Sequence, residues 1–439
     1  MTLGASLRWG GFWLLDALKG KPMRREYDIV RDHYINGTPK EYTEQKIDEL
    51  IRHAVSTCDF YKQYAGCSSL TDFPIINKAL IRDNFDAFVS ASFRGRSDNQ
   101  DAYTSGSTGT PFHIIHNKAK VNHRVPASVL LSEAAGYRIG MKVMFVRMWV
   151  GDHAKTGFMT RYRDNWIPYN YTNIDEDALQ DILSILKRER VEVLMGYSSA
   201  LLDLCRYIDA NNISVEDIHL KVIIPMSESM AVTVRTRLSE QFGCPVRSLY
   251  SNEENGIMAV QGKKNASFRV DESSYHYEIL KMDSDEPAED GELGRIVITD
   301  LYNYAVPLIR YENGDMAIAD HRTTPDGRTR LYLRELYGRR YDQVFDTKGR
   351  VVSPFVFYNG LSTDQSIRQY QFIQTGEKDY VLEMNADPDP DKECELIAYI
   401  RQYFGEDAQV AIEYVAEIPV LSSGKRKNIV NKCPKYTQD

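Results

Sequence analysis

The sequence feature that most constrains the fold is a regular alternation of helix-like and strand-like segments over residues 120–260. Residues 118–150 are interpreted as a helix followed by the strand MKVMFVRMWV. Further helix-like segments are 175–190, 201–212 and 230–243, and further strand-like ones are VEVLMGY and HLKVIIPMSE. We also read CPVRSLYSNEENG as a further strand and loop of this series. Such alternation is typical of parallel strands layered between helices, so an α/β architecture is expected.

Beyond residue 265 the pattern changes to short strands at close spacing, which predicts a region richer in β structure. A domain boundary is expected within LYGRRYDQV (336–344), and the strands and single helix that follow predict a small α+β module. At roughly 100–200 residues per domain, 439 residues fit two to three domains. We therefore expect a large domain of layered sheets and helices over 1–340 and a smaller, mobile domain over 341–439.

The composition argues against several classes of protein. Lysine and arginine total 54 against 62 aspartates and glutamates, a net charge of −8, whereas a general nucleic-acid binder is more often basic. No apolar run reaches the roughly 18 residues of a spanning helix. The six cysteines are scattered and form no CxxC pair, which favours free thiols in a reducing cytoplasm and argues against structural zinc.

The N-terminal 25 residues contain a short apolar stretch that Asp16 interrupts. This pattern favours an amphipathic helix docked on the protein, and contact with a membrane surface or a secretory signal remain open alternatives. The polar stretch that follows places Ile47, Leu50, Ile51 and Val55 on one side of a predicted helix.

The strongest local motif is YTSGSTGTPFHIIH, residues 103–116. Its glycines allow close approach of the backbone, and its N–H groups and hydroxyls can cradle phosphate oxygens. A flexible Ser/Gly hairpin is the alternative. The motif lacks the lysine of a Walker loop, so a phosphate site here needs positive charge from another segment.

Three other segments could complete such a site. PVLSSGKRKNIVNK (419–432) places Lys425 on a turn, although a solvated basic turn has the same pattern. SLYSNEENGIMA (248–259) carries Glu253 and Glu254, and two adjacent carboxylates suit Mg²⁺. An ordinary acidic loop is the alternative. Asp315 follows Gly314 at a turn between predicted strands, where an Asx turn is the alternative.

The order of these segments resembles the adenylate-forming superfamily of acyl-CoA synthetases and adenylation domains. The motifs in order are TSGSTGTP, YSNEE, GELGRIVITDLYNYAVPLIRYENGD, GRRYDQV and LSSGKRK. The segment TDLYNYAVPLIRY is most similar to the corresponding segment of phenylacetate–CoA ligases and their CapK-like relatives in capsular-polysaccharide biosynthesis. The resemblance spans about residues 100–432 and implies ATP, Mg²⁺ and a carboxylic acid as reactants, with coenzyme A as a possible acceptor.

The resemblance also implies residue roles. Lys425 would bridge the carboxylate and α-phosphate oxygens, and Glu254, with Glu253 as alternative, would bind Mg²⁺. Arg339 would approach the nucleotide beside a hinge at Tyr341 or Asp342. The nucleotide-binding residues that it implies are Thr104, Ser105, Gly106, Ser107, Thr108, Gly109, Thr110, Ser227, Glu228, Tyr250 and Asp315.

The sequence departs from the family pattern at two places. Ser251 and Glu253 replace the usual Gly and Thr, and the usual RTGD reads ENGD at residues 312–315, so Arg310 is a candidate source of positive charge.

His113 and His116 are three residues apart on a predicted strand and should face opposite sides, which argues against a shared metal. His153, Trp149, Tyr197 and Ser198 are candidates for the acid-binding pocket.

Three functions stay open from the sequence. The first is an ATP-dependent acid–CoA ligase of the phenylacetate–CoA ligase type. The second is a CapK-like enzyme that activates an acid or amino acid for transfer to a surface-polymer precursor. The third is a catalytically silent nucleotide-binding protein. No nucleic-acid partner is expected, and a homodimer is suggested by resemblance alone.

Overall fold

The computed structural model describes residues 2–67, 69–104, 112–147, 165–170, 176–227, 230, 232–262, 267–324, 327–337, 344–352, 356–357, 361, 366–419 and 427–436. Its α-helices are α1 Leu3–Leu18, α2 Pro22–Asn36, α3 Lys40–Thr57, α4 Lys78–Asp83, α5 Phe85–Phe88, α6 Lys118–Ala135, α7 Glu176–Arg188, α8 Ser198–Ala210, α9 Val232–Phe242 and α10 Pro390–Phe404. Within these ranges, no helix is both long enough and apolar enough to cross a bilayer.

A four-stranded parallel sheet forms the first layer. Its strands, in spatial order, are β5 Trp166–Asn170, β4 Val143–Arg147, β6 Val193–Tyr197 and β7 Val222–Met226. β6 is buried along its whole length, because helices or other strands cover both faces of a parallel sheet. One hydrophobic cluster joins the sheet to α7, α8 and α9, and another joins it to α6. The alternation of the sequence therefore builds the expected α/β layer.

The second layer is a large, mainly antiparallel sheet. Its strands, in spatial order, are β11 Tyr275–Leu280, β12 Leu293–Asp300, β13 Tyr311–Thr323, β14 Thr329–Tyr337, β10 Phe268–Val270, β9 Gly256–Gln261 and β8 Leu249–Asn252, with β1 Ile76–Asn77 parallel to β13. Our assignment of residues 244–256 to the parallel series was wrong for β8, which pairs antiparallel with β9. A parallel bridge from Ile223 to Val246 continues the first sheet towards it.

Two short hairpins lie outside these sheets. The first pairs β2 Gln100–Thr104 with β3 Phe112–His116, and the second pairs β15 Val344–Phe345 with β16 Val351–Val352.

The predicted helical face of α3 is confirmed, because Leu50 and Ile51 are buried in a hydrophobic cluster that Ile47 and Val55 border.

The C-terminal region has its own four-stranded sheet. Its strands, in spatial order, are β19 Gln409–Tyr414, β18 Asp379–Asn385, β17 Gln369–Gln374 and β20 Ile429–Asn431. α10 packs with this sheet around a hydrophobic cluster whose buried members all lie between Val344 and Ile429. The predicted mixed α/β fold class is therefore confirmed. Of the predicted boundary segment 336–344, residues 338–343 lie outside the described residues.

Candidate active site

The hairpin between β8 and β9 carries two of the predicted site residues, Tyr250 and Glu254. The turn is tight, since Asn252 pairs with Gly256 and the Asn252 Oδ1 atom accepts the Asn255 N–H at 2.7 Å. Gly256 has a φ of 103°, which favours glycine. The turn directs the Glu254 side chain into the protein and leaves the Glu253 side chain exposed.

The Glu254 carboxylate is held by two residues that no sequence motif indicates as site residues. Lys78, at the start of α4, places its Nζ atom 2.7 Å from Glu254 Oε1, and the Tyr311 hydroxyl donates to the same oxygen at 2.8 Å. The backbone carbonyl of Glu254 lies 2.8 Å from His116 Nε2. Glu254 is only 1% exposed, so these contacts fix it firmly.

The electrostatics keep Glu254 charged. Burial alone raises the pKa of a carboxyl group, but the Lys78 ammonium and the Tyr311 hydroxyl outweigh this effect. The pKa of Glu254 consequently lies below its usual value. A buried carboxylate that stays ionised at neutral pH is a suitable ligand for a cation.

Several polar atoms beside this carboxylate lack partners. Glu254 Oε2 and both side-chain polar atoms of Asn255 are buried without a hydrogen bond to any described residue. Buried polar groups are normally paired, so these atoms mark a place where a bound group fits. The described residues contain no cluster of three or more His, Cys, Asp or Glu that could hold a metal ion. A single carboxylate fits Mg²⁺, which commonly takes one or two protein carboxylates together with substrate phosphates.

Asp315 lies on β13 next to Tyr250. The Tyr250 hydroxyl donates to Asp315 Oδ2 at 2.8 Å and accepts from Asn313 Nδ2 at 2.6 Å. Burial, together with the nearby Asp315 charge, raises the pKa of Tyr250 well above its usual value, so the phenol remains protonated and donates. A bulge positions Asp315, because the pairing of β12 with β13 jumps from Arg295–Met316 to Val297–Glu312.

The two contacts require a strongly curved sheet. β8 and β13 are separated in the sheet by β14, β10 and β9, which would place them about 19 Å apart if the sheet were flat. Yet Tyr250 bonds to Asp315, and Glu254 bonds to Tyr311. Curvature therefore brings the YSNEE and RYENGD segments together.

The remaining predicted residues lie at different places. Tyr197 is the last residue of β6, and Ser227 directly follows the neighbouring parallel strand β7. Ligands commonly bind at such carboxyl ends of parallel strands. Ser198 is buried at the start of α8, and Ser227 is exposed with a φ of 68°. The backbone of Thr104 pairs with Phe112, so the two ends of the Ser/Gly-rich loop meet. The predicted residues outside the described ranges are 105–110, Trp149, His153, Glu228, Arg339, Tyr341, Asp342 and Lys425.

Arg310 does not supply charge to this site. Its guanidinium forms two hydrogen bonds with Glu278, at 2.9 and 3.1 Å, and a third with the Phe73 carbonyl at 3.0 Å. The suggestion that it replaces the missing family arginine was therefore wrong, because a buried bidentate ion pair already uses its donors.

The two histidines face opposite sides, as predicted. His113 is partly exposed and bonds to Asp101, whereas His116 is buried against the Glu254 carbonyl. Burial, with the nearby Lys120 and Arg124 charges, lowers the pKa of His116 from about 6.5 to about 4. It is therefore neutral at physiological pH.

Sequence comparisons place relatives of this chain in two groups. Residues 344–432 match the family model of the CapK C-terminal domain. Protein CapK of Staphylococcus aureus is 21% identical over 410 residues, covering 89% of each chain. A phenylacetate–coenzyme A ligase of Thermus thermophilus is 22% identical over 349 residues, covering 75% of this chain and 77% of the relative.

Solved structures of similar fold include 2-hydroxyisobutyryl-CoA ligase. Its post-adenylation state in complex with 2-HIB-AMP gives a TM-score of 0.71 at 16% identity over 90% of both chains. Its thioesterification state, in complex with 2-HIB-AMP and CoA, gives 0.58 at 17% identity over 89% of this chain and 90% of that one. Together these likenesses confirm the fold class and the resemblance to the adenylate-forming superfamily.

Proposed function

We propose that the chain activates a carboxylic acid with ATP, forming an acyl-adenylate and pyrophosphate, and then transfers the acyl group to coenzyme A. The observation that carries this proposal is the contact between the YSNEE and RYENGD segments, which meet through Tyr250–Asp315 and Glu254–Tyr311. The relationship to phenylacetate–coenzyme A ligases supports the same reaction.

The first step joins an anion to a polyanion. A carboxylate oxygen of the acid attacks the α-phosphorus of ATP, the bond from this phosphorus to the β-phosphate oxygen breaks, and pyrophosphate leaves. The acid is already ionised at pH 7, so no general base is needed. The barrier is mainly electrostatic, and positive groups placed at the developing charge lower it.

We assign nucleotide binding to both layers of the large domain. The loop from Thr104 to Thr110 would hold the β- and γ-phosphates, and the glycines and hydroxyl side chains of its sequence support this role. Tyr250 would pack against adenine, and Asp315 would accept hydrogen bonds from the ribose hydroxyls. The Tyr250 hydroxyl bonds to Asp315 and so orients this carboxylate before ATP binds. Ser227 and Glu228 would line the adenine site.

Glu254 is the carboxylate that we assign to the Mg²⁺ that accompanies ATP. When bound, Mg²⁺ would neutralise charge on the phosphate oxygens during displacement. The buried, unpartnered Oε2 atom supports Glu254 over the exposed Glu253. Lys78 holds the other oxygen and would remain beside the phosphates as a second positive charge.

We assign the remaining chemistry to the domain over 341–439. Lys425 would bridge the acid and the α-phosphate, and Arg339 would approach the nucleotide from the hinge. In the second step the CoA thiolate would attack the acyl carbon, and AMP would leave. A separate hydrophobic core and the match over 344–432 support a module that can rotate between steps.

A CapK-like role is the second candidate, and the CapK match over 89% of the chain favours it. In this role the adenylate would pass to an amine, sugar or carrier acceptor in surface-polysaccharide synthesis. The activation step is the same, so both candidates use the residues above. We place either reaction in the cytoplasm, where ATP is available and the six free thiols would stay reduced. A homodimer stays a prediction.

A panel of carboxylic and amino acids in a pyrophosphate-release assay tests the proposal. At least one acid should give release that requires both ATP and Mg²⁺, and adding CoA should yield its thioester. Release without thioester formation would favour the CapK-like role. ATP binding by calorimetry without release for any acid would leave the silent nucleotide-binding function and contradict the proposed enzyme.

A further inference from the structure

The outer face of α1 is apolar, although it is exposed. Five leucines, spaced to share one side of the helix, are each at least 60% exposed; they are Leu3, Leu7, Leu14, Leu15 and Leu18. We call this set the leucine face. The charged residues of α1 are Arg8 and Asp16, which are half-buried and buried, so neither interrupts the leucine face. An amphipathic surface helix would normally turn polar groups outwards, and α1 does the opposite.

The opposite side of α1 packs on the protein. Ala5 is fully buried, and a Cβ atom at Gly140 would lie only 2.5 Å from the Ala5 carbonyl oxygen, so the helix approaches this loop very closely. Trp13 packs edge-on against Tyr27 with 5.2 Å between ring centroids. α1 is therefore held in a defined orientation that presents the leucine face to the outside.

A basic segment, residues 19–25, follows the leucine face directly. Residues 3–25 contain five positive side chains and one negative side chain, 5 − 1 = +4, in a chain with a net charge of −8. The negative one, Asp16, is buried and accepts the N–H groups of Met23 and Arg24 at the start of α2, each at 3.0 Å. Lys19, Lys21 and Arg25 are exposed, so the positive charge faces outwards beside the leucines.

The area of the leucine face is small for a protein dimer. A 16-residue helix is about 24 Å long and about 10 Å wide, so one face covers about 240 Å². Two copies would bury about 480 Å², whereas stable interfaces bury at least about 1,200 Å² in total. A lipid surface needs no matching partner area, and apolar insertion is reinforced there by attraction to anionic headgroups.

We propose that α1 and the basic segment dock the protein on an anionic lipid surface. The helix would lie in the plane of the interface with the leucine face among the upper acyl chains. Lys19, Lys21 and Arg25 would reach the headgroup phosphates, because long basic side chains extend towards the polar boundary. This docking is independent of the proposed ligase reaction, since it uses none of the predicted site residues.

Co-sedimentation of the full-length protein with vesicles tests the proposal. Binding to vesicles of phosphatidylcholine with a quarter phosphatidylglycerol should exceed binding to pure phosphatidylcholine at least tenfold and weaken in 0.5 M salt. Leu7→Asp with Leu14→Asp should reduce binding at least tenfold, and Lys19→Glu with Arg25→Glu at least fivefold. Tyr403→Asp, an exposed aromatic residue on α10, is the matched control and should bind as the unmodified chain does.

The thermal midpoint of each variant shows whether it folds, and Leu7→Asn with Leu14→Asn replaces the aspartate pair if that pair does not. Equal binding to neutral and anionic vesicles, or no binding to either, would overturn the proposal. So would a leucine-face variant that changes the sedimentation mass from dimer to monomer without affecting vesicle binding. That result would identify the leucine face as a contact between copies of the chain.

Discussion

The candidate active site, where β8 and β13 meet, and the C-terminal module, residues 341–439, differ in how their parts are held together. The site joins residues about 60 positions apart through two hydrogen bonds, the buried Glu254–Tyr311 bond and the partly buried Tyr250–Asp315 bond. The module instead has a hydrophobic core drawn from its own residues. One contact from the module to the rest of the chain runs from the Arg206 guanidinium to the Arg368 carbonyl at 2.8 Å.

We expect this difference to separate nucleotide binding from the chemical step. The Glu254 and Asp315 carboxylates are already held in position by hydrogen bonds, so we expect the large domain to bind nucleotide without the module. A module with its own core can change its orientation at small cost, because its packing does not depend on its neighbour. We therefore expect substitutions in the site to affect nucleotide and Mg²⁺ binding, and substitutions in the module to affect the chemical step.

The largest effect is expected from Lys425→Ala. Removing a charge that stabilises the transition state costs on the order of 10²–10³ in rate, so acid-dependent pyrophosphate release should fall by about that factor. ATP affinity measured by calorimetry should stay within about twofold. Lys432→Ala, at an exposed lysine of the same module, is the control and should turn over normally. Normal turnover of Lys425→Ala would remove the module from the mechanism.

Glu254→Gln should have the next largest effect. It removes the charge of the proposed Mg²⁺ ligand, so pyrophosphate release should fall about 100-fold, with a higher Mg²⁺ requirement. The measurement is the rate as a function of Mg²⁺ concentration at saturating ATP. Glu253→Gln, on the exposed neighbour, should leave the Mg²⁺ curve unchanged.

Lys78→Met separates the loss of a metal ligand from simple loss of the ion pair. Both Lys78→Met and Glu254→Gln break the contact between these residues, and both should lower the thermal midpoint. Only Glu254→Gln should raise the Mg²⁺ concentration needed for half-maximal rate. An equal rise in both variants would mean that Glu254 has a structural role only.

His116 should make stability pH-dependent. Its pKa is about 4 in the folded protein, against about 6.5 when unfolded, so the unfolded chain takes up this proton first as pH falls. Stability is therefore complete above about pH 6.5 and declines towards pH 4, by about 2 kcal/mol between pH 7 and pH 5. Denaturant unfolding of His116→Asn should lack this portion of the decline. His113→Asn, on the opposite face of β3, should retain it.

Local pattern identified most of the secondary structure, because apolar periodicity reports burial directly. The parallel layer, the helical face of α3 and the strands and helix of the C-terminal region were predicted in this way. β8 was assigned to the wrong sheet, since a short apolar strand has the same pattern in either kind of sheet. Strand pairing depends on distant residues that periodicity does not report.

The candidate site was predictable only as separate segments. Motif order selected Tyr250, Glu254 and Asp315, but their contacts depend on the curvature of the large sheet. Lys78 carried no signal of its own, because it belongs to none of the sequence motifs and reaches Glu254 only through the fold. The hypothesis for Arg310 was wrong because it used only the closeness of Arg310 to Asp315 in the sequence. The fold instead pairs Arg310 with Glu278.

The smallest predicted effect tests the hydrogen bond that links the two nucleotide segments. Tyr250→Phe keeps the ring that would contact adenine but removes the hydroxyl that binds Asp315 and Asn313. A single hydrogen bond contributes about 1 kcal/mol, so the KM for ATP should rise about fivefold while kcat changes little. Tyr277→Phe removes a hydroxyl that donates to the Met258 carbonyl in the same sheet and should not change the KM for ATP. If Tyr250→Phe instead lowered kcat with an unchanged KM, Tyr250 would act in the chemical step, and binding and chemistry would not divide between the two regions.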